Sequence, residues 1–462
     1  MTGSHGQSDS SIHVEEVTYD LMLSAFQPLC ASLQLSDLPV EVLVVLMQHV
    51  PLKQRLLDCA CLSSKIRKAA IAATTNIKHH AASRDAIHAL QAYLHTHGAV
   101  VVNLDFKPPL AGYMPLPFVL QQLPCPGLLK LKLTDTQVQL TAIPDRQQPG
   151  ILSSCTALTS LCLLNCTVLD PSSQLGGLSV LQRLQDLVVK QDTDSSRRAS
   201  QPLSLLPGSL LSQLVCLTRI HLPDTMRFAS LEHLSCLTAL QQCHVALAPG
   251  AQQERFRGVR QLQHLTSLQL DCHQSQQTIG YVETQGLYHA TSLQELDVWA
   301  CKAFRPTVLK RMGSLHTLII RRTSLSGDAT VSPTGTSRLL EVLPRLTALT
   351  LLDLTGTLQH HAVHLQDYTA LTCLQNLSVL VLSDCSLPAG LWRKLAETIT
   401  PMRSVRTLAI NNSTAEPLDT DSLSSLVKCF PLLEDLSCVQ STQDGIKINN
   451  NASGPPPNPV TP

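Results

Sequence analysis

The residues of this 462-residue chain best suited to chemistry are its sixteen cysteines and eighteen histidines. A zinc site needs them in paired spacings. The nearest candidates are Cys59-Ala60-Cys61, Cys162 with Cys166, Cys272-His273 and His79-His80, and none has a matching second pair. His360, His361 and His364 cluster without a carboxylate or thiol spaced to complete a cage, so they read as a solvated loop. A G-x-S-x-G elbow, a phosphate-cradling glycine loop and an H-E-x-x-H helix are all missing from the sequence. The sequence therefore predicts no catalytic residue, no resident metal and no cofactor.

Charge narrows the partners. Lys+Arg and Asp+Glu number 34 each, which gives a net charge of zero and a pI near 7.2. Such a chain has no general field for a phosphate backbone or an anionic bilayer, so neither nucleic acid nor membrane is expected as a partner. No apolar run reaches the roughly 18 residues a membrane span requires. The start, Met1 to Ile12, is polar, and Glu15, Glu16 and Asp20 precede the first apolar stretch, the wrong charge for a secretory signal. Reduced thiols and a cytoplasmic or nuclear location, or both, are the expectation. On that expectation the sequons at Asn165, Asn376, Asn411, Asn412 and Asn451 carry no sugar.

Leucine decides the architecture. It occupies 84 positions while aromatics make up 3% of the chain, so any core must be built from interdigitating aliphatics. The string L-x-x-L-x-L-x-x-C recurs almost unchanged at Leu158 to Cys166, Leu293 to Cys301 and Leu377 to Cys385. With Val and Ile allowed, its first position falls at 101, 128, 158, 184, 217, 237, 265, 293, 315, 346, 377, 405 and 433, a mean period of about 28. The copy at Leu237 is the weakest, because Gln242 occupies its third apolar position. Leu at i, i+3 and i+5 brackets a short strand whose alternate residues face outward. A further leucine row at spacing three precedes many strands, as in Leu231-Leu234-Leu237, Leu340-Leu343-Leu346 and Leu371-Leu374-Leu377, and suits a helical or 3₁₀ return on the convex side. No unit buries both faces alone, so stacked neighbours must share one long core.

Over roughly residues 99–440 the chain resembles the leucine-rich-repeat family. That resemblance implies an α/β solenoid, a horseshoe whose concave sheet binds a partner through whatever side chains line it. Positions three, five and seven of each repeat would then project from the concave face. The first part of that face, through Lys130, Lys132, Lys190, Arg219 and His221, reads as mildly basic. The middle, through Asp271, Glu295, Asp297, Trp299 and Arg321, reads as acidic with one of two tryptophans, and the far end as apolar. The concave residues singled out for a partner are Arg219, His221, Asp271, Glu295, Asp297, Trp299 and Arg321. Arg197-Arg198-Ala199-Ser200 has the spacing of a basophilic kinase target in the widest interval between repeats, which makes Ser200 a possible phosphorylation site.

Ahead of the repeats, Leu38-Pro39 and Glu41 open an apolar stretch with Leu43, Leu46 and Val50 on one helical face, closed by Pro51-Leu52. Leu56, Leu62-Ser63, Lys65 and Arg67 follow, with Ile66 where an aromatic residue is usual. This segment resembles an F-box, a small all-α domain. The resemblance implies docking to a Skp-type adaptor of a cullin ubiquitin ligase through Leu38, Pro39, Leu43, Leu46, Val50, Pro51 and Leu52. Together the readings divide the chain into a disordered start at 1–35, an F-box-like domain at 36–76, a linker helix or solenoid cap at 77–98, about thirteen repeats at 99–440 and a disordered tail at 441–462. The function they imply is substrate recognition for a ligase, with an unnamed protein held by the concave face. The alternative is a stand-alone leucine-rich-repeat scaffold or regulator in which residues 36–95 are only a cap.

Overall fold

A computed structural model describes residues 38–50, 64–80, 84–107, 123–138, 152–168, 176–190, 204–205, 211–222, 226–228, 231–247, 257–272, 284–301, 304–323, 335–358, 365–398, 401–413 and 420–438. Its spine is a parallel sheet in which strands lie side by side in chain order. They are β1 (Asn76–His80), β2 (Asn103–Lys107), β3 (Lys130–Thr134), β4 (Ser160–Leu164), β5 (Asp186–Lys190), β6 (Arg219–His221), β7 (Gln242–Leu247), β8 (Ser267–Asp271), β9 (Glu295–Trp299), β10 (Thr317–Arg321), β11 (Leu351–Asp353), β12 (Val379–Val381), β13 (Thr407–Ala409) and β14 (Asp435–Ser437). Two short segments, Ser204–Leu205 and Met226–Phe228, join beside β7.

Each strand buries alternate residues, as the pleat requires. In β9, Leu296 and Val298 point inward while Glu295, Asp297 and Trp299 point out. The inner residues meet leucines from the return segments, 3₁₀ turns such as Leu231–Cys236 and Leu365–Cys373, where Leu231, Leu234 and Leu371 are buried, as is Leu374 directly after the second. Spacing of three suits a 3₁₀ turn because residues i and i+3 eclipse. Gly258 lies so close to the Leu231 carbonyl of the preceding return that a Cβ would collide with backbone. Helices α3 (Arg84–His97), α4 (Gly335–Val342), α5 (Leu391–Thr398) and α6 (Thr420–Cys429) replace or extend the 3₁₀ return in their repeats.

The chain leaves each strand the same way. Position eight of the repeat has positive φ at Asp135, Asn165, Ala300, Arg322, Gly356, Asp384 and Asn412. Asn, Asp and Gly tolerate that conformation best. Position nine then turns a buried Thr, Cys or Ser back toward the core. Thr323 Oγ1 donates to the Arg321 or Val298 carbonyl and accepts from the Cys301 amide at 3.3 Å. Cys385 Sγ lies 3.1 Å from the Leu354 carbonyl, and Ser413 Oγ accepts from the Cys385 amide and reaches the Leu382 carbonyl. The thiols of Cys166, Cys301 and Cys385 thus belong to the core, as the repeat implied. Burial pushes the Cys166 thiol up to about 12, against hydrogen bonds from its neighbours.

Three sequence expectations need correction. The sheet starts at β1, inside the stretch assigned to the small domain and linker. Ile77 pairs with Leu104, but one inward aliphatic among Asn, Lys and His is too sparse to reveal a strand. Near Leu237 the frame moves three residues, to Leu240, Cys243 and Val245, and near Leu346 it moves to Leu349, Leu352 and Leu354. Leu352, assigned to the concave face by the earlier frame, is therefore core, and Leu351 and Asp353 take the outward places.

Ahead of β1, α1 (Val40–Gln48) packs on α2 (Ser64–Ala73). Pro39 is extended at the start of α1, and its carbonyl accepts the first helical bond from Leu43. Leu43 and Met47 meet Ile66, Ala69, Ala70 and Ala73, a cluster distinct from the solenoid core. The short alanine side chains let the two helices approach closely. Thr74 ends α2 by donating to the Ala70 carbonyl at 2.7 Å, and β1 follows two residues later.

Candidate binding surface on the concave sheet

Strand register puts the outward side chains in three rows across the sheet. The middle row reads Lys78, Asp105, Lys132, Cys162, Val188, His221, His244, Gln269, Asp297, Ile319, Asp353, Val381, Ala409 and Ser437. Neighbours in it are about 4.8 Å apart.

The first strands carry interleaved charges. Lys132 pairs with Asp105 at 3.2 Å and Arg219 with Asp186 at 3.1 Å, while Lys107 sits 3.9 Å from Asp135. These pairs are partly exposed to water, which screens them, and they contribute little stability. Lys78, Lys130 and Lys190 make no ion pair with a described residue and leave this end of the face net cationic. Cys162 stands between Lys132 and Lys190, whose charges oppose the rise that burial imposes on its thiol.

At the centre of the arc His221 and His244 meet, Nδ1 to Nδ1 at 2.8 Å, with rings at 83°. One ring nitrogen must donate and the other accept, so the pair is held by a single shared proton. Burial, then His244, then Lys190 push His221 down to about 4. Sequence reasoning found His221 and missed His244, because the three-residue displacement near Leu237 hid it.

The acidic patch is assembled as the repeat implied. Glu295, Asp297 and Trp299 lie on β9, Asp271 is paired in register with Trp299, and Arg321 flanks Trp299 on the other side. Asp271 is buried, Asp297 and Trp299 are half-buried, and Glu295 and Arg321 are exposed. Missed by the same kind of displacement was Asp353. It is 4% exposed, accepts from Arg321 Nε at 2.7 Å and takes the Thr355 amide and hydroxyl on its other oxygen. Arg321 is thereby committed to Asp353 and held in place. Burial raises the Asp297 carboxyl, Arg321 opposes that and Asp353 adds to it. Neither Glu295 nor Asp297 makes a hydrogen bond or ion pair with a described residue. Beyond them Leu351, Val379, Val381 and Ala409 form a half-buried aliphatic shelf.

Of the residues assigned to adaptor docking, Pro39 is exposed, Leu38 and Val50 are half-buried against the helix pair, and Leu46 is half-buried. Leu43 is fully buried against α2, so it holds the pair together and offers no surface. Pro51, Leu52 and Ser200 lie outside the described residues, as do Cys59, Cys61, His273 and the histidines at 360, 361 and 364. The face of α1 opposite Leu43 instead shows Val42 and Val45, 43% and 56% exposed, which the sequence did not single out. Among the described residues no three metal-ligating side chains come together, and no helix is long and apolar enough to cross a membrane.

No protein-family model matches the chain and no curated protein is similar to it. Among solved structures it is similar to the internalin InlF of Listeria monocytogenes, at 16% identity and TM-score 0.48 over 77% of this chain and 95% of that one. A leucine-rich-repeat protein of Leptospira interrogans gives 16% and 0.47 over 81% and 88%. The functional domain of InlJ from Listeria monocytogenes, whose description notes a cysteine ladder, gives 16% and 0.39 over 80% and 69%. The repeat, the chain-ordered parallel sheet and the eclipsed leucine returns define the fold on their own terms: it is a leucine-rich-repeat solenoid.

Proposed function

We propose that this protein is a non-catalytic binding solenoid that selects a protein partner with its concave face, and that the helix pair ahead of the sheet docks a Skp-type adaptor, delivering the bound protein to a cullin ubiquitin ligase. The observation that carries the first part is the chemistry of the concave face, where Glu295 and Asp297 make no hydrogen bond or ion pair with a described residue and lie beside a half-buried Trp299. A partly desolvated ring ringed by charges is the composition of an interface centre.

The adaptor half rests on the resemblance of residues 38–70 to an F-box and on the two apolar faces of α1. Leu43 and Met47 satisfy one by packing on α2, and Val42 and Val45 leave the other in water. A helix apolar on both faces has surface to bury against something else. A second reading is favoured by a different observation: α2 runs almost directly into β1, the placement a solenoid cap requires.

Affinity purification with a Skp-type adaptor separates the two. Val42→Asp with Val45→Asp, at exposed positions, should abolish adaptor recovery and leave circular dichroism and thermal midpoint unchanged. Failure of the wild type to recover the adaptor would leave the helix pair as a cap and the chain as a stand-alone scaffold, and equal recovery by wild type and variant would move the docking site away from Val42 and Val45.

A further inference from the structure

The concave face is segregated along the arc, and the order of its chemistry specifies a ligand. Among the described residues the outward cations without an ion pair, Lys78, Lys130 and Lys190, all precede the histidine pair, and the outward carboxylates without one follow it, Asp435 on the terminal β14 and Glu295 and Asp297 together on β9. Past β9 the outward residues are mostly aliphatic, Ile319 on β10, Leu351 on β11, Val379 and Val381 on β12 and Ala409 on β13, all half-buried, with Asp353 among them taken up by Arg321. The nearest cation to the carboxylates, Arg321, is bonded to Asp353 at 2.7 Å and also acts on Asp297, so one guanidinium faces three carboxylates and the subsite stays anionic. Trp299 completes the subsite with a ring, whose face attracts a cation as the carboxylates do.

We infer that the concave face binds an extended polypeptide segment carrying a lysine or arginine at Glu295, Asp297 and Trp299 and an aliphatic side chain about four residues away on the shelf formed by Leu351, Val379 and Val381. The inference rests on the proposed protein-binding role of this face and gives that partner its chemistry. The spacing follows from geometry. From β9 to β12 is three strand steps, about 14 Å, and an extended chain advances about 3.4 Å per residue, so about four residues join the two subsites. A segment running across the strands meets both. Phosphate-rich partners are disfavoured at this end, since two unpaired carboxylates would face them.

Selection of random twelve-residue peptides displayed on phage against the full chain tests the inference. Selected sequences should share a Lys or Arg with an aliphatic residue about four positions to one side, and their binding should weaken as salt is raised. Asp297→Asn should weaken the selected peptides about tenfold or more. Asp297→Glu should retain most binding, and Val381→Asp should lose it, each with an unchanged thermal midpoint. Acidic consensus sequences, basic ones with no fixed spacing, or a selection that yields no binder would overturn the inference. Peptides indifferent to Asp297→Asn but lost on Lys132→Glu or Lys190→Glu would also overturn it while leaving concave binding intact. Peptides indifferent to every concave substitution would remove the binding role itself.

Discussion

Single residues on the concave face show how little the solenoid core constrains what it displays. His221 and His244 occupy outward positions in adjacent strands, yet burial first, and then the charge His244 would carry beside it, lower the titration of His221. His221 titrates near 4 when folded against an ordinary value of 6.5. Between those values the unfolded chain binds a proton the native chain does not, so stability rises with pH across that window and is lost as pH falls through it. Urea midpoints of the wild type should therefore drop between pH 7 and pH 5 by more than those of His221→Asn. Equal drops would show that the pair holds its proton as readily as free histidine does. Neither the contact nor Asp353 beneath Arg321 was legible beforehand, although both side chains sit where the repeat, framed correctly, puts them.

At the scale of one repeat, what was legible and what was not have the same origin. Leu158, Leu161 and Leu163, or Leu293, Leu296 and Val298, mark their strands without ambiguity, because Cys155 and Ala290 stand three residues ahead of them and break the row of leucines. The frame slipped at Leu237 and Leu346, where the 3₁₀ return runs unbroken into the strand. In Leu231, Leu234, Leu237, Leu240 and in Leu343, Leu346, Leu349, Leu352 every third residue is a buried leucine, so moving the frame by three puts leucine onto leucine. Only side chains that break the period reveal the slip, and Gln242 was one of them. The position-nine ladder is the repeat's polar counterpart to its leucines. Thr323 is 2% exposed and serves the Cys301 amide and a carbonyl in the preceding repeat at once. Thr323→Val keeps the shape and strands those groups, which should cost about 1 to 3 kcal/mol. Thr323→Ser should cost much less. Chemical denaturation of the two variants decides it, and equal losses would mean that the methyl, and not the hydroxyl, holds the turn.

Taken whole, the molecule is a row of repeats whose stability is close to a sum of local and neighbour terms. The terms are unequal along it. In the central strands the inward residues are sealed, whereas at the last described repeat Leu433, Leu436 and Cys438 are only half-buried and Leu423, Val427 and Leu432 are 40%, 61% and 49% exposed. Amide hydrogen exchange should accordingly be about tenfold or more faster for Leu436 and Ser437 than for Leu296 and Val298. Uniform protection from β2 to β14 would mean that the array opens as one unit.

The order of strands in the sheet, identical to their order in the chain, bears on how the protein is made. Synthesis releases the chain from its amino end. Each repeat leaving the ribosome meets a neighbour that is already assembled, and the edge of that neighbour offers the backbone groups and leucines the new strand needs. No strand waits for a partner encoded far downstream, so growth of the solenoid keeps pace with translation, and at any moment only the newest edge is open to error.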